Sequence, residues 1–247
     1  MGKGKLQKFE EMAAFPHVVQ APFNYLNNED FGLKGKWNTD FFRNENPVVL
    51  ELGCGKGEYT VALAEKFTDK NFIGVDIKGA RMWKGARQAL EKKLSNVGFL
   101  RTNIEIISRF FAPGEISEIW LTFPDPQMKK TNKRLTSTNF ISKYKNILAD
   151  NGIIHLKTDS NFQYQYTCAM TEANRFEILA KTDNLYKSDL LNNILSIQTY
   201  YEKQWLDRGI TIKYLAFRIT GESFAEPEVE IEKDSYRSFG RNAVKGE

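Results

Sequence analysis

Cysteine and histidine are the scarcest chemistry-bearing residues of this chain, two of each in 247 residues. Cys54 and Cys168 cannot build a disulfide framework. With only His17 and His155 there is no Cys-x-x-Cys or His-x-x-x-His spacing, so no metal centre is expected. Neither cysteine has a histidine near it in sequence, and both read as packing residues. No run approaches the roughly 18 apolar residues that a membrane span needs, and the basic start Met1-Gly2-Lys3-Gly4-Lys5 is followed by no apolar signal core. A cytoplasmic protein with no membrane partner is expected. Internal repeats, low-complexity tracts and Pro/Gly linkers are absent as well. Nor does one sign of charge dominate: 35 Lys and Arg face 31 Asp and Glu, and the net charge of +4 permits a polyanionic partner without demanding one.

What is present is an ordinary globular composition, 41% hydrophobic and 27% charged, over a length that suits one α/β domain. Residues 1–46 lack sustained periodicity and read as a partly ordered arm that wraps the core or orders on a partner, with Lys3, Lys5 and Lys8 as candidate phosphate contacts. From Pro47, short apolar runs alternate with amphipathic stretches, the pattern of βαβ units around a mostly parallel sheet with helices on both faces. Seven strands are expected, at 48–52, 72–76, 97–100, 118–123, 152–157, 176–181 and 214–220. Helices are expected at 58–67, 77–94 and 137–148. Lys78, Arg81, Lys84 and Arg87 wind across half of the second helix and read as a solvated face. Glu228, Glu230 and Glu232 alternate with Val229 and Ile231, suggesting a charged edge strand. The domain would occupy 47–221, with 222–247 as an extension upon it.

The sharpest local feature is Glu51-Leu52-Gly53-Cys54-Gly55-Lys56-Gly57-Glu58, directly after an apolar strand and directly before a helix. Gly53, Gly55 and Gly57 allow a tight turn and close backbone approach to a ligand, and the helix start supplies unpaired N–H groups. A dinucleotide fingerprint would require glycine where Glu58 stands, and a carboxylate at the helix start repels a pyrophosphate. A cationic, phosphate-free cofactor fits better, and S-adenosylmethionine is such a molecule, with Glu51 placing a carboxylate near its positive charge. Asp76, 23 residues after Gly53 at the second strand end, can accept both ribose hydroxyls of an adenosyl group. Asn103, past the third strand, suits an adenine amine. The alternative for Asp76 is a cap on the following helix.

After the fourth strand comes Phe123-Pro124-Asp125-Pro126-Gln127-Met128-Lys129-Lys130-Thr131-Asn132-Lys133-Arg134. Two prolines fix the backbone around Asp125, and four positive charges fall within the six residues from Lys129 to Arg134. A basic loop beside a strand-end carboxylate, at the mouth of an adenosyl crevice, suggests a polyanionic substrate. If all four cations met phosphates, the log–log salt slope of binding would be about −3 to −4.

With these motifs the chain resembles the bacterial tRNA (guanine-N7-)-methyltransferases. The resemblance runs from Glu51 to Trp205 and rests on the glycine loop, Gly74-Val75-Asp76, Phe-Pro-Asp-Pro with its basic tail, Lys157-Thr158-Asp159 and Thr199-Tyr200-Tyr201-Glu202. It departs from the common pattern at Gln127, Asn132 and Leu135. The resemblance implies a Rossmann-like class I S-adenosylmethionine-dependent methyltransferase fold, and methyl transfer to N7 of the variable-loop guanosine of tRNA, position 46 in the usual tRNA numbering. Carried over, Glu51, Asp76, Asn103 and Asp125 contact the cofactor, with Asp125 also the active-site residue. Lys129, Asp159, Thr199, Tyr200, Tyr201 and Glu202 contact the substrate. Lys130, Thr131, Asn132, Lys133, Arg134, Leu135 and Thr136 form the RNA-facing loop.

Guanine N7 carries a lone pair and no proton, so its attack on a sulfonium methyl needs alignment but no general base, and the scarcity of histidine is no obstacle. Asp125 and Asp159 are expected to hold the guanine edge, and Phe123, Tyr200 or Tyr201 to receive the extruded base. Phe123 and one tyrosine could instead be packing residues. The competing readings are a class I methyltransferase for another RNA base or a small molecule, and a nonenzymatic RNA-binding module on the same scaffold. Either a monomer or a homodimer is compatible with the sequence.

Overall fold

The apolar segments after Pro47 form the expected strands, and a computed structural model, which describes residues 3–21 and 31–237, shows how they pair. The strands are β1 (Val18–Gln20), β2 (Val48–Leu52), β3 (Asn71–Val75), β4 (Val97–Arg101), β5 (Ile116–Thr122), β6 (Leu148–Thr158), β7 (Glu177–Thr182) and β8 (Lys213–Arg218). The helices are α1 (Lys3–Ala14), α2 (Glu58–Lys66), α3 (Gly79–Glu91), α4 (Thr138–Lys145), α5 (Asn161–Ala173) and α6 (Tyr200–Asp207). One sheet runs β1-β4-β3-β2-β5-β6-β8-β7. β8 runs antiparallel to both β6 and β7, and the other pairings are parallel.

Every residue of β2 is buried, as a central parallel strand covered on both faces requires. Val48, Leu50 and Leu52 enter one core layer with Ile73 and Val75, whereas Val49 and Phe72 enter the other. The period-two alternation divides the apolar side chains between the faces. In α3 Met82, Ala86 and Ala89 face inward, but Leu90 is exposed, and the helix runs from Gly79 to Glu91, shorter than the expected 77–94. On its outer face Lys84 pairs with Glu58 and Arg87 with Glu91, each at 2.8 Å, so two of the four cations of this series are neutralised at the surface.

Three expectations are corrected. Among the described residues the sheet has eight strands, because Val18–Gln20, within the aperiodic arm, adds in parallel to β4 with Val19 opposite Leu100. A three-residue strand is too short to show a period. The arm also inserts Trp37, fully buried, whose indole N–H donates to the Phe110 carbonyl at 2.9 Å. Second, the strand expected from 152 begins at Leu148, and Asp150-Asn151-Gly152 is an insertion within it. Ile116 pairs with Leu148 and Glu118 with Ile153, leaving residues looped out around Asn151 at φ +62°. Third, the acidic run at 228–232 joins no ladder, and Val229 is exposed. Phe224 and Ile231 pack on the core instead, and Glu226 and Asp234 are drawn to helix starts. Among the described residues no helix is long and apolar enough to cross a membrane, and no cluster of His, Cys, Asp and Glu could hold a metal.

Candidate active site

Chain order reverses at β2, whose neighbours are β3 and β5, and a ligand crevice opens at the carboxyl ends of the strands at such a switch point. The glycine loop leaves β2 there. Gly53, Gly55 and Gly57 have φ of +80°, +56° and +68°, a conformation strained for any other residue. Asp76, at the end of β3, accepts the Gly55 N–H at 2.9 Å through one carboxylate oxygen and the Lys78 N–H at 2.8 Å through the other. It therefore ties the loop to the start of α3, the capping role read from the sequence, and it also lines the crevice. From behind, α3 braces the loop: a Cβ on Gly85 would lie 2.7 Å from the Lys56 carbonyl oxygen.

Glu51 lies beneath the loop. It is buried and accepts from the Thr60 amide at 2.8 Å and from the hydroxyls of Thr60 and Thr122. Burial raises its pKa to about 7, against the lowering effect of the threonine hydrogen bonds, and the nearby Asp76 charge adds to the rise. It stands below the loop as a buried carboxyl that is partly protonated near neutral pH. Cys54, in the same loop, is buried with its thiol pushed up by burial, which suits a packing residue.

A cavity of about 260 Å³ opens between the ends of β3 and β4 and the β5 loop, lined by Asp76, Thr102, Asn103, Gln127, Leu135 and Phe140. Asn103 caps the short 3-10 helix Ile104–Arg109 by accepting the Glu105 N–H at 3.0 Å. Thr102 was not singled out from the sequence. Its hydroxyl is buried and has no hydrogen-bond partner, although it borders this cavity. A buried polar group left unpaired costs about 1–3 kcal/mol, so a ligand donor or acceptor reaching it would recover that loss. A threonine after a strand is too common for sequence alone to mark it.

The β5 loop turns sharply, with Phe123 at φ +51° and Gln127 at φ +47°, unusual values for non-glycine residues that recur at functional sites. Between them Asp125 is exposed, one oxygen accepting the Gln127 N–H at 3.1 Å. The basic tail that follows faces two ways. Lys129 and Lys130 are exposed, as are Thr131 and Asn132, while Lys133 forms an ion pair with Glu105 across the cavity mouth. Arg134, expected on the RNA-facing surface, is only 3% exposed. Its guanidinium donates to the carbonyls of Pro126 at 3.0 Å and Gln127 at 3.2 Å and stacks 3.9 Å from the Tyr166 ring centroid. It holds the Asp125 turn from within. Thr136 is buried too, accepting from Gln163 Nε2 at 2.7 Å, and half-buried Leu135 lies beside Gly53. With Arg134 buried and Lys133 paired, the loop offers two unpaired exposed cations, and the salt slope expected from it falls to about −2.

Next along the sheet, β6 ends in Lys157-Thr158 and is followed by Asp159, all three buried. The Lys157 ammonium donates to the Leu195 and Ile197 carbonyls, each at 2.8 Å, and pairs with Glu202. Burial pushes the lysine pKa down and the glutamate pKa up, and their attraction opposes both shifts. Thr199 and Glu202 form a capping box at the start of α6. These two expected substrate contacts thus build the platform that presents Tyr200 and Tyr201. The tyrosines are 48% and 38% exposed and meet edge-on at 5.5 Å, so neither packs against the sheet. Lys56, in the glycine loop, lies 3.6 Å from the Tyr200 ring centroid, and the Tyr200 amide donates to Glu58 at 2.9 Å. Asp159 is reached by the Tyr236 hydroxyl at 2.8 Å. In the arm, Lys8 lies over the Trp83 ring, whereas the side chains of Lys3 and Lys5 fall outside the described residues.

Comparison with known proteins places these features in a family. The family model described as "Putative methyltransferase" matches residues 45–215. The chain is 60% identical to the tRNA (guanine-N(7)-)-methyltransferase of Bacteroides fragilis over 247 residues, all of this chain and 98% of the relative. It is 57% identical to that of Porphyromonas gingivalis, covering 94% of this chain and 97% of the relative. Among solved structures, an antibiotic-related methyltransferase superposes with a TM-score of 0.56 at 17% identity, covering 76% of this chain and 95% of the other. The 16S rRNA (adenine(1408)-N(1))-methyltransferase of Catenulisporales acidiphilia gives 0.55 at 12% identity, with 79% and 97% covered. At such identities the likeness carries the fold alone, the Rossmann-like class I methyltransferase sheet.

Proposed function

Because the chain belongs to the tRNA (guanine-N7-)-methyltransferase family, we propose that it transfers a methyl group from S-adenosylmethionine to N7 of the variable-loop guanosine of tRNA. The observation that carries this reading is the cavity at the switch point, bordered by Asp76, which is tied to the glycine loop, and by Gln127, two residues beyond the proline-flanked Asp125. The residues present fit the cofactor. Asp76 offers acceptors for ribose hydroxyls, Asn103 and the orphan Thr102 hydroxyl border the nucleoside cavity, and the buried Glu51 supplies negative potential near a cation. When bound, S-adenosylmethionine supplies an electrophilic methyl group.

The protein's part is positional. N7 bears no proton, so no side chain has to remove one, and alignment of the reacting atoms can be worth ~7–11 kcal/mol. Asp125, stiffened by Pro124 and Pro126 in a turn braced by Arg134, presents an exposed carboxylate next to Gln127, which lines the cavity. There it accepts hydrogen bonds from the guanine edge and favours the positive charge that grows on the methylated base. Tyr200 and Tyr201 offer an exposed aromatic surface to the extruded base, while Lys129 and Lys130 meet phosphates.

The test is transfer of labelled methyl from S-adenosylmethionine to unmodified tRNA, followed by nucleoside analysis. Label is expected in 7-methylguanosine of the variable loop and should vanish when that guanosine is replaced by adenosine. Asp125→Asn should lower kcat by about 10²-fold or more while cofactor binding persists. Near-normal turnover in that variant would remove its electrostatic role, and label in another nucleoside would overturn the substrate.

A further inference from the structure

Glu58, the residue that breaks the dinucleotide fingerprint, opens α2 and reaches across to a different element. One carboxylate oxygen accepts the amide of Tyr200, the first residue of α6, at 2.9 Å, and the other accepts from the Lys84 ammonium at 2.8 Å. Burial raises its pKa, but the hydrogen bonds from Lys84 and from the Tyr200 amide outweigh that, so an anion stands where the unpaired N–H groups of α6 begin. Two residues earlier, Lys56 reaches the same tyrosine from the glycine loop. Its ammonium lies 3.6 Å from the Tyr200 ring centroid and 5.6 Å from that of Tyr201.

The backbone at both ends of this contact is fixed by other groups. In the loop, the Gly55 N–H is held by Asp76 at 2.9 Å and the Gly57 N–H by the Cys54 carbonyl at 2.8 Å, while the Lys56 carbonyl faces Gly85 of α3. On the other side, the Lys157–Glu202 pair and the capping box secure the start of α6, and the Tyr59 hydroxyl donates to the Ile194 carbonyl at 3.0 Å in the segment before it. The Tyr200 ring itself is 48% exposed. Besides Lys56, it meets Tyr201 edge-on, and its hydroxyl accepts from Gln204 Nε2 at 3.1 Å.

Resting on the reading of Tyr200 and Tyr201 as the surface that receives the base, we propose that Lys56 is a positioning residue, whose ammonium fixes the Tyr200 ring relative to the cofactor loop so that the stacked base lies in line with the methyl donor. Lys56 acts through the ring, since the ammonium occupies one face and leaves the opposite face to the base. The attraction of a cation for an aromatic face is modest, but the return is large where reaction depends on alignment, because a displacement of about 1 Å can cost about 10²-fold in rate. The glycine loop thus serves both ligands, with its backbone toward the cofactor and its one long side chain toward the substrate surface.

The test compares the full chain with Lys56→Met and Lys56→Arg in single-turnover methylation of unmodified tRNA at saturating tRNA and S-adenosylmethionine, beside equilibrium binding of tRNA and of S-adenosylhomocysteine and a urea melt. Lys56→Met should slow methyl transfer about 2- to 30-fold, the range that one cation–π contact supplies, with the urea midpoint and both affinities little changed. Lys56→Arg, which keeps a cation over the ring, should restore the rate. In a Tyr200→Leu background the Lys56→Met substitution should add nothing further. An unchanged transfer rate would overturn the proposal. So would weaker tRNA binding with a salt slope flatter by about one unit and an intact rate, which would make Lys56 a phosphate contact. A slower rate that persists in the Tyr200→Leu background, or that follows a lower urea midpoint or weaker S-adenosylhomocysteine binding, would place the effect in the loop and overturn it too. If the unsubstituted protein binds S-adenosylhomocysteine but forms no 7-methylguanosine, the reading on which the positioning role rests is what fails, and the role falls with it.

Discussion

The two sides of the switch point are assembled in different ways. On the β3 side, the groups that face the crevice come from contiguous stretches: three glycines within five residues, then Asp76 and Asn103 directly at strand ends. On the β6 side, each group is set by partners far along the chain. Lys157 is held by Glu202, Thr136 by Gln163 and Asp159 by Tyr236, the last 77 residues away. A small nucleoside is cradled by backbone, whose geometry is local. A macromolecular substrate demands a broad surface, and that surface has to be buttressed from below by buried polar side chains.

The comparison can be broken most forcefully at the buttress. Lys157→Met leaves Glu202 buried without its cation and should cost about 3–5 kcal/mol in urea unfolding. A loss below 1 kcal/mol would mean that the pair supports nothing. On the cofactor side, the leading effect should appear with pH. Glu51 holds its proton up to about pH 7 in the folded protein, against an ordinary value of 4.5, so the folded state binds more protons between these limits. Its contribution to stability is full below pH 4.5 and fades as pH rises to about 7, a decline on the order of 3 kcal/mol. Glu51→Gln should flatten that limb in thermal or urea melts, and an unaltered slope would show that the carboxyl is not the titrating group.

Smaller effects sharpen the contrast. Gly57→Ala adds a Cβ 2.6 Å from the Phe99 ring at a φ of +68° and should cost about 2 kcal/mol, with loss of cofactor binding out of proportion to stability. Lys129→Glu together with Lys130→Glu should leave the melting temperature unchanged and flatten the salt dependence of tRNA binding by about two units. If Arg134→Gln flattened that slope equally without loss of stability, the inward role of Arg134 would be wrong.

The same contrast explains what could be read from the sequence. The glycine loop, Asp76 and the strand alternation were legible because each is a local pattern with a local cause. Arg134 looked like part of a basic run because sequence records its charge and not the two carbonyls and the tyrosine face that draw it inward. The pairing of Glu202 with Lys157 could not be read, because that cation stands 45 positions earlier, inside an apolar strand. The edge strand β1 was hidden by its three-residue length.

The bracing of the glycine loop has a consequence for the helix behind it. Gly85 sits mid-way along α3, where alanine would favour the helix by about 1 kcal/mol, yet any β-carbon there would collide with the Lys56 carbonyl and with Gly57. The crossover helix is weakened as a helix so that the loop can seat against it. Efforts to stabilise this scaffold by replacing helical glycines, or to widen its cradle for bulkier cofactor analogues, would meet at that one missing methyl group, where rigidity and room are the same variable.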